Sequence, residues 1–156
     1  MCRETKIINA LYDLALGGDC IFKHAAAITH SSKILSTGIN NGNRTKWGKS
    51  IKVCMHAEMM ALMSFLRKNN DYTTPKKCGK FGNLSMWVIC VPNDKIKSNM
   101  GLLRKSNPCN ECYNVLKSYG FKTIVYSDEN GIMQKVKLKD YTNTYRSAAQ
   151  MKHNIY

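Results

Sequence analysis

Between residues 54 and 67 the chain is apolar on almost every side, with Met55, Met59, Met60, Leu62, Met63, Phe65 and Leu66 in one short stretch. A helix without a polar face has nowhere to meet water and runs through the middle of a domain. Any fold for this chain must therefore cover that helix on several sides, and the flanking sequence supplies the cover. Residues 5–16 place Ile7, Leu11 and Leu14 at helical spacing, with Ile8 and Ala15 widening the stripe and Gly17-Gly18 ending it. The apolar run 20–30 reads as a strand, Ser31-Ser32 as a turn, and 33–39 as the returning strand of a hairpin. Asn40-Asn41-Gly42-Asn43 opens a loop that continues through Trp47-Gly48.

Downstream, 85–91 (SMWVICV) has the continuous apolarity of a central strand, closed by Pro92. Residues 109–119 carry Cys112, Val115, Leu116 and Tyr119 on one helical face, with Gly120 placed as a C-cap. The strand 122–127, the turn Asp128-Glu129-Asn130-Gly131 and the strand 132–138 form a second hairpin, and a short helix is expected over 140–152. The order α-ββ-α-β-α-ββ-α predicts an α/β protein. Its expected form is three layers, α-β-α, around one mixed five-stranded sheet whose last two strands are antiparallel. We read one domain over 1–156, with a core of about 5–138, basic loops at 67–83 and 93–107, and a C-terminal extension at 139–156.

At 156 residues such a domain buries a core without disulfide staples. Its 44% hydrophobic and 22% charged residues are ordinary for a globular protein and exclude a disordered chain. No apolar run approaches the roughly 20 residues that span a bilayer, and the first residues do not form a signal peptide. The seven cysteines are an odd number, and only Cys109 and Cys112 are closely spaced. That pattern predicts reduced thiols and a metal site in a reducing, intracellular compartment, not a disulfide framework. Against 10 acidic residues stand 24 basic ones, a formal charge of +14. A field of that sign attracts phosphorylated small molecules and nucleic acid alike.

Two short motifs carry the chemistry. His56-Ala57-Glu58 opens the buried helix, and Pro108-Cys109-Asn110-Glu111-Cys112 opens the next one. One imidazole and two thiolates make a three-residue zinc set that leaves the fourth tetrahedral position open, as a catalytic site requires. A helix N-terminus favours the ionised thiol. Glu58 lies in the first turn beside the metal and reaches solvent bound there without being a ligand, so it is the candidate proton carrier. Either motif alone is weak, since H-x-E recurs by chance and C-x-x-C also serves redox and structural zinc chemistry. Their combination across a strand is restrictive.

In that combination the chain resembles the zinc-dependent cytidine/deoxycytidylate deaminase superfamily, whose signature is H-x-E followed by P-C-x-x-C. The resemblance covers roughly 5–138. KHAAAITHSSKILSTGIN (23–40) is similar to the family's first hairpin with its G-x-N ending, MHAEMMAL (55–62) to its first metal helix, and SNPCNECYNVLKSYGFKTIVYSDENG (106–131) to its second metal helix and following strand. The phrasing L-x-x-S-x-PC and YS-x-x-x-G is similar to deaminase-like proteins of viruses and lower eukaryotes, which leaves association with a virus particle open. The resemblance implies a zinc ion held by His56, Cys109 and Cys112 and proton transfer by Glu58. It also implies substrate contacts from Asn40, the backbone at Ala57, and Pro108. The interval 59–107 is longer than in many members, and the two basic loops account for the excess. An antiparallel last strand pair is similar to the free-nucleoside branch, whereas the tRNA-adenosine, deoxycytidylate and polynucleotide branches join those strands by a helix and make them parallel. The charge points the other way, toward a phosphorylated or polymeric ligand. The readings are therefore a cytosine nucleoside or nucleotide deaminase, a polynucleotide deaminase, or a nucleic-acid-binding or structural protein built on the fold, with a homo-oligomer open in each case.

The remaining chemistry-bearing residues have plainer roles. Cys20, Cys54 and Cys90 are expected in the core, as is the methionine stripe. Cys78, in the basic PKKCGK, is the thiol most open to oxidation or simply exposed. His24 is expected to be packed or hydrogen bonded, His30 and His153 exposed, and Trp47 either packed or stacked over a ligand.

Overall fold

A computed structural model describes residues 2–42, 45–47, 50–52, 55–68, 81–92 and 103–141, with 45–47 and 50–52 described by their backbone. The elements in chain order are α1 (Arg3–Leu16), β1 (Lys23–His30), β2 (Lys33–Ile39), β3 (Thr45–Trp47), β4 (Ser50–Lys52), α2 (Ala57–Lys68), β5 (Leu84–Val91), α3 (Asn110–Ser118), β6 (Thr123–Ser127) and β7 (Met133–Lys137), then a 3-10 turn at Leu138–Asp140. The main sheet runs β2-β1-β5-β6-β7. Its β1–β2, β1–β5 and β6–β7 pairs are antiparallel, while β5 and β6, joined through α3, are parallel. This is the mixed five-stranded sheet with an antiparallel last pair that the sequence predicts.

Side chains alternate across this sheet, and the two faces bury different partners. Ala25, Ala27, Trp87, Ile89 and Val125 point to one face, where Ile7, Leu11 and Ala15 of α1 cover them. Ala26, Ile28, Met86, Val88 and Ile124 point to the other, where Ala61, Leu62 and Leu66 of α2 and Leu116 of α3 pack. Helix α2 lies so close to β2 that a Cβ on Gly38 would stand 2.3 Å from the Ala61 nitrogen and 2.7 Å from the Ala57 oxygen. Only a glycine permits that approach. Nearby, Ser36 Oγ donates to the Ala61 carbonyl at 2.9 Å. At the end of α3, Gly120 takes φ 84°, donating its N–H to Lys117 O while Phe121 N–H bonds Leu116 O. That is the left-handed helix stop expected there.

Three expectations need correction. The first strand begins at Lys23, not at 20, because Ile21 and Phe22 are 75% and 61% exposed and so bury nothing. Cys20 is accordingly half-buried instead of core, its Sγ donating to Asn40 O at 3.6 Å, whereas Cys90 is buried as expected. The stretch taken as continuous loop through Trp47 contains a small two-stranded antiparallel sheet, with Thr45 opposite Lys52 and Trp47 opposite Ser50. Thr45 and Trp47 in one segment and Ile51 in the other are the local sequence signal for it.

The packed core also reaches past 138, since Tyr141 is buried with Leu138 against α3. Met55, Met59 and Met63 are buried and Met60 partly so, in the core as expected. The helix expected over 140–152 lies, beyond Tyr141, outside the described residues. So do Cys54, Cys78, His153, the side chain of Trp47 and most of both basic loops. Among the described residues no helix is long and apolar enough to cross a membrane.

Candidate metal centre

Each motif is placed by backbone bonding around it. Asn41 and Met55 exchange both hydrogen bonds at 3.1 Å, which fixes the residue before His56 beside the end of β2. His56 then sits just before α2, and Glu58 is the second residue of that helix, only 4% exposed. On the other side, Ser106 and Ser127 tie the approach to α3 onto the sheet. Ser106 Oγ donates to Val88 O at 2.8 Å and accepts the Ser127 N–H at 2.8 Å, while Ser127 Oγ donates to Arg104 O. Pro108 is fully buried and Cys109 is the N-cap of α3 in extended conformation, with Cys112 buried in the first turn.

The outcome is convergence. The His56 Nδ1 lies 3.3 Å from Cys112 Sγ and 3.4 Å from Cys109 Sγ, and all three ligand atoms fall within 4.8 Å of one another. Zinc bonds of about 2.3 Å to sulfur and about 2.05 Å to nitrogen put tetrahedral N···S edges at about 3.5 Å. The donor set and its spacing fit one shared ion.

Protonation within the group follows from the same contacts. A hydrogen bond from Cys112 draws the Cys109 thiol down to about 4, against its burial and with help from His56. Cys112, the donor in that bond and buried, is pushed up. The bond to Cys109 holds the His56 imidazole up at about 9, with burial opposing. Burial raises the Glu58 carboxyl, while the His56 charge and its own backbone N–H pull it back.

Ala57 and Pro108 adjoin His56 and Cys109 in the chain, and Asn40 precedes Asn41, which pairs with Met55. Ala57 is fully buried in the first turn of α2, where backbone N–H groups lack intrahelical partners. The Asn40 side chain is pinned to β1, accepting the His24 N–H on Oδ1 at 2.9 Å and donating from Nδ2 to Phe22 O at 2.7 Å. It retains a second amide hydrogen. His24 is half-buried with Nδ1 3.4 Å from Phe22 O, and burial lowers its pKa, so it is bonded as expected; His30 is exposed. A cleft of about 370 Å³ opens at the C-terminal ends of the parallel strands, lined by Asn107, Tyr126 and Tyr141 but by none of the three metal-group residues. Its charges are already engaged, Lys105 with Glu129 at 3.2 Å and Asp128 with its own turn.

The family model of the cytidine and deoxycytidylate deaminase zinc-binding region matches residues 6–128. The chain belongs to this deaminase family. A cytidine deaminase from Burkholderia pseudomallei has a similar fold, with a TM-score of 0.58 at 21% identity, over 90% of this chain and 95% of that one. A dCMP deaminase from the cyanophage S-TIM5, solved with dCMP and dUMP, aligns at a TM-score of 0.49 and 17% identity, over 83% of this chain and 85% of that one. Comparison with curated protein sequences gives no match. Sequence reasoning located the deaminase motifs but assigned no role to Gly38, Ser36, the Ser106–Ser127 pair or Tyr141. For Ser106 and Ser127 the signal was present in the phrases S-x-P-C and YS-x-x-x-G. For Tyr141 no local pattern marks it.

Proposed function

We propose that this deaminase is a zinc-dependent hydrolase that converts the cytosine ring of a free nucleoside or nucleotide to uracil with release of ammonia. The observation that carries the reading is the three-ligand group with a buried carboxyl two residues after His56. His56, Cys109 and Cys112 would hold the ion, and Asn40, Ala57 and Pro108 would contact the substrate. A zinc ion so held would supply a nucleophile at neutral pH by lowering the pKa of water toward about 7. Glu58 takes one proton from the attacking water and gives it to the ring nitrogen, then takes the remaining proton of the hydroxyl added to the ring carbon and gives it to the departing amine, which leaves as ammonia. The pinned Asn40 offers its second amide hydrogen to a sugar hydroxyl. Burial of Glu58 and Ala57 excludes bulk water from the reacting face.

The antiparallel β6–β7 pair supports a small substrate, being the arrangement that resembles the free-nucleoside branch. The charge of +14 favours a second reading, in which the surface holds nucleic acid. A panel of cytidine, deoxycytidine and their monophosphates, followed by loss of the cytosine absorbance, tests the first. Turnover of at least one is expected, abolished by a zinc chelator and restored by zinc. A zinc-loaded protein inert on all four contradicts it. Gel shifts in increasing salt test the second, since six or more phosphate contacts lose roughly 10³-fold in affinity between about 50 and 200 mM salt.

A further inference from the structure

Cys109 stands at the N-cap of helix α3, and the first turn of that helix carries both thiols. Tyr141 reaches this turn from the far end of the fold. After β7, Leu138 N–H bonds Lys122 O at 2.8 Å and the 3-10 turn carries the chain back toward α3, Tyr141 N–H bonding Leu138 O. The Tyr141 hydroxyl donates to Pro108 O at 2.6 Å, the carbonyl of the peptide that leads into Cys109. Its ring packs on Tyr113, one residue past Cys112, with centroids 5.5 Å apart, and stands edge-on to Tyr126 of β6 at 5.8 Å. Tyr113 N–H in turn bonds Cys109 O, closing the first turn of α3.

We propose that Tyr141 is a positioning residue for the metal group, clamping the Pro108–Cys109 peptide and the first turn of α3 so that the two thiols face His56 before an ion arrives. This rests on the zinc reading above. Outer partners of this kind typically govern metal affinity by about 10–100-fold. Tyr141→Phe keeps the ring and removes one hydroxyl. Its zinc Kd, measured by competition with a chromophoric chelator, is expected to rise about tenfold. Val136→Ala serves as the comparison, since Val136 packs against the same core cluster. It is expected to lower the melting temperature while leaving zinc Kd unchanged. The proposal is overturned by a Tyr141→Phe protein that binds zinc as tightly as wild type, or by a Val136→Ala protein that weakens zinc equally. A wild-type protein that takes up no zinc sinks the zinc reading itself, and this proposal with it. Wild type loading fully while Tyr141→Phe matches it removes only the role of Tyr141.

Discussion

The two faces of the central sheet are built from the same strands and have little else in common. Under α1 the buried cluster is apolar, from Ile7, Leu11 and Ala15 to Trp87, Ile89 and Val91, and the buried polar Thr29 is neutral and bonded to the Trp87 indole. Under α2 and α3 an equally tight core holds Cys109 and Cys112, with the buried Glu58 carboxyl at its edge. Burying ionisable groups opposes folding unless each has a partner. Here the partners are the other members of the metal group. Two buried thiols show how much the neighbours decide. Cys90, buried beside apolar neighbours, is pushed up to about 11, while Cys109 is drawn down to about 4 by Cys112 and His56. Burial alone keeps a thiol protonated, whereas hydrogen-bonding neighbours let a buried thiol ionise.

That division can be broken by substitution on either side. The largest effect is expected at Glu58. Glu58→Gln should lower turnover by about 10²–10⁴-fold while zinc content, measured by atomic absorption, stays at wild type. Loss of zinc along with activity would make Glu58 part of the metal group instead of a proton carrier. Next is Gly38→Ala, which drives a methyl into the backbone of α2. Overpacking of this kind costs about 1–3 kcal/mol, and a displacement of α2 by about 1 Å is expected to lower turnover on the order of 100-fold. Denaturant melts and initial rates check both, and a Gly38→Ala protein with normal rates would show that α2 can shift without moving Glu58.

Leu11→Ala tests the quiet face. It should cost roughly 2–5 kcal/mol of stability and leave zinc Kd and the rate per folded molecule unchanged. A change in either would mean the faces are coupled through the sheet. The smallest effect is expected at the β6–β7 turn, where Asp128 accepts the N–H groups of Asn130 and Ile132 and a bond from Gln134. The Ile132 N–H and Gln134 hold its carboxyl below the usual range. The contribution of this turn is therefore present above the ordinary carboxylate pKa and is lost as pH falls through the depressed value. Exchange of the Ile132 amide should accelerate over that interval in wild type, with no such step in Asp128→Asn.

Legibility in the sequence followed the range of the forces involved. Helices with a clear stripe, such as α1, and a hairpin announced by Asn130-Gly131 are local, and both stand where they were expected. His56-x-Glu58 and Cys109-x-x-Cys112 were legible for the same reason, each being a spacing within one helical turn. A continuous apolar run hides the start of a strand, which is why Ile21 and Phe22 were taken into β1 although they face solvent. The close approach at Gly38 and the reach of Tyr141 to Pro108 depend on residues far apart in the chain. Gly38 stood out only as the glycine of the G-x-N ending, without the packing reason for it, and Tyr141 reads as one aromatic in a polar tail.

The most direct test is the zinc-edge X-ray absorption spectrum of the purified protein. Two sulfurs at about 2.3 Å and two nitrogen or oxygen neighbours at about 2.0 Å are expected, the second light atom being solvent at the open corner. A shell of three or four sulfurs, meaning a closed structural site, or a protein that carries no metal at all, would contradict a hydrolytic centre at His56, Cys109 and Cys112.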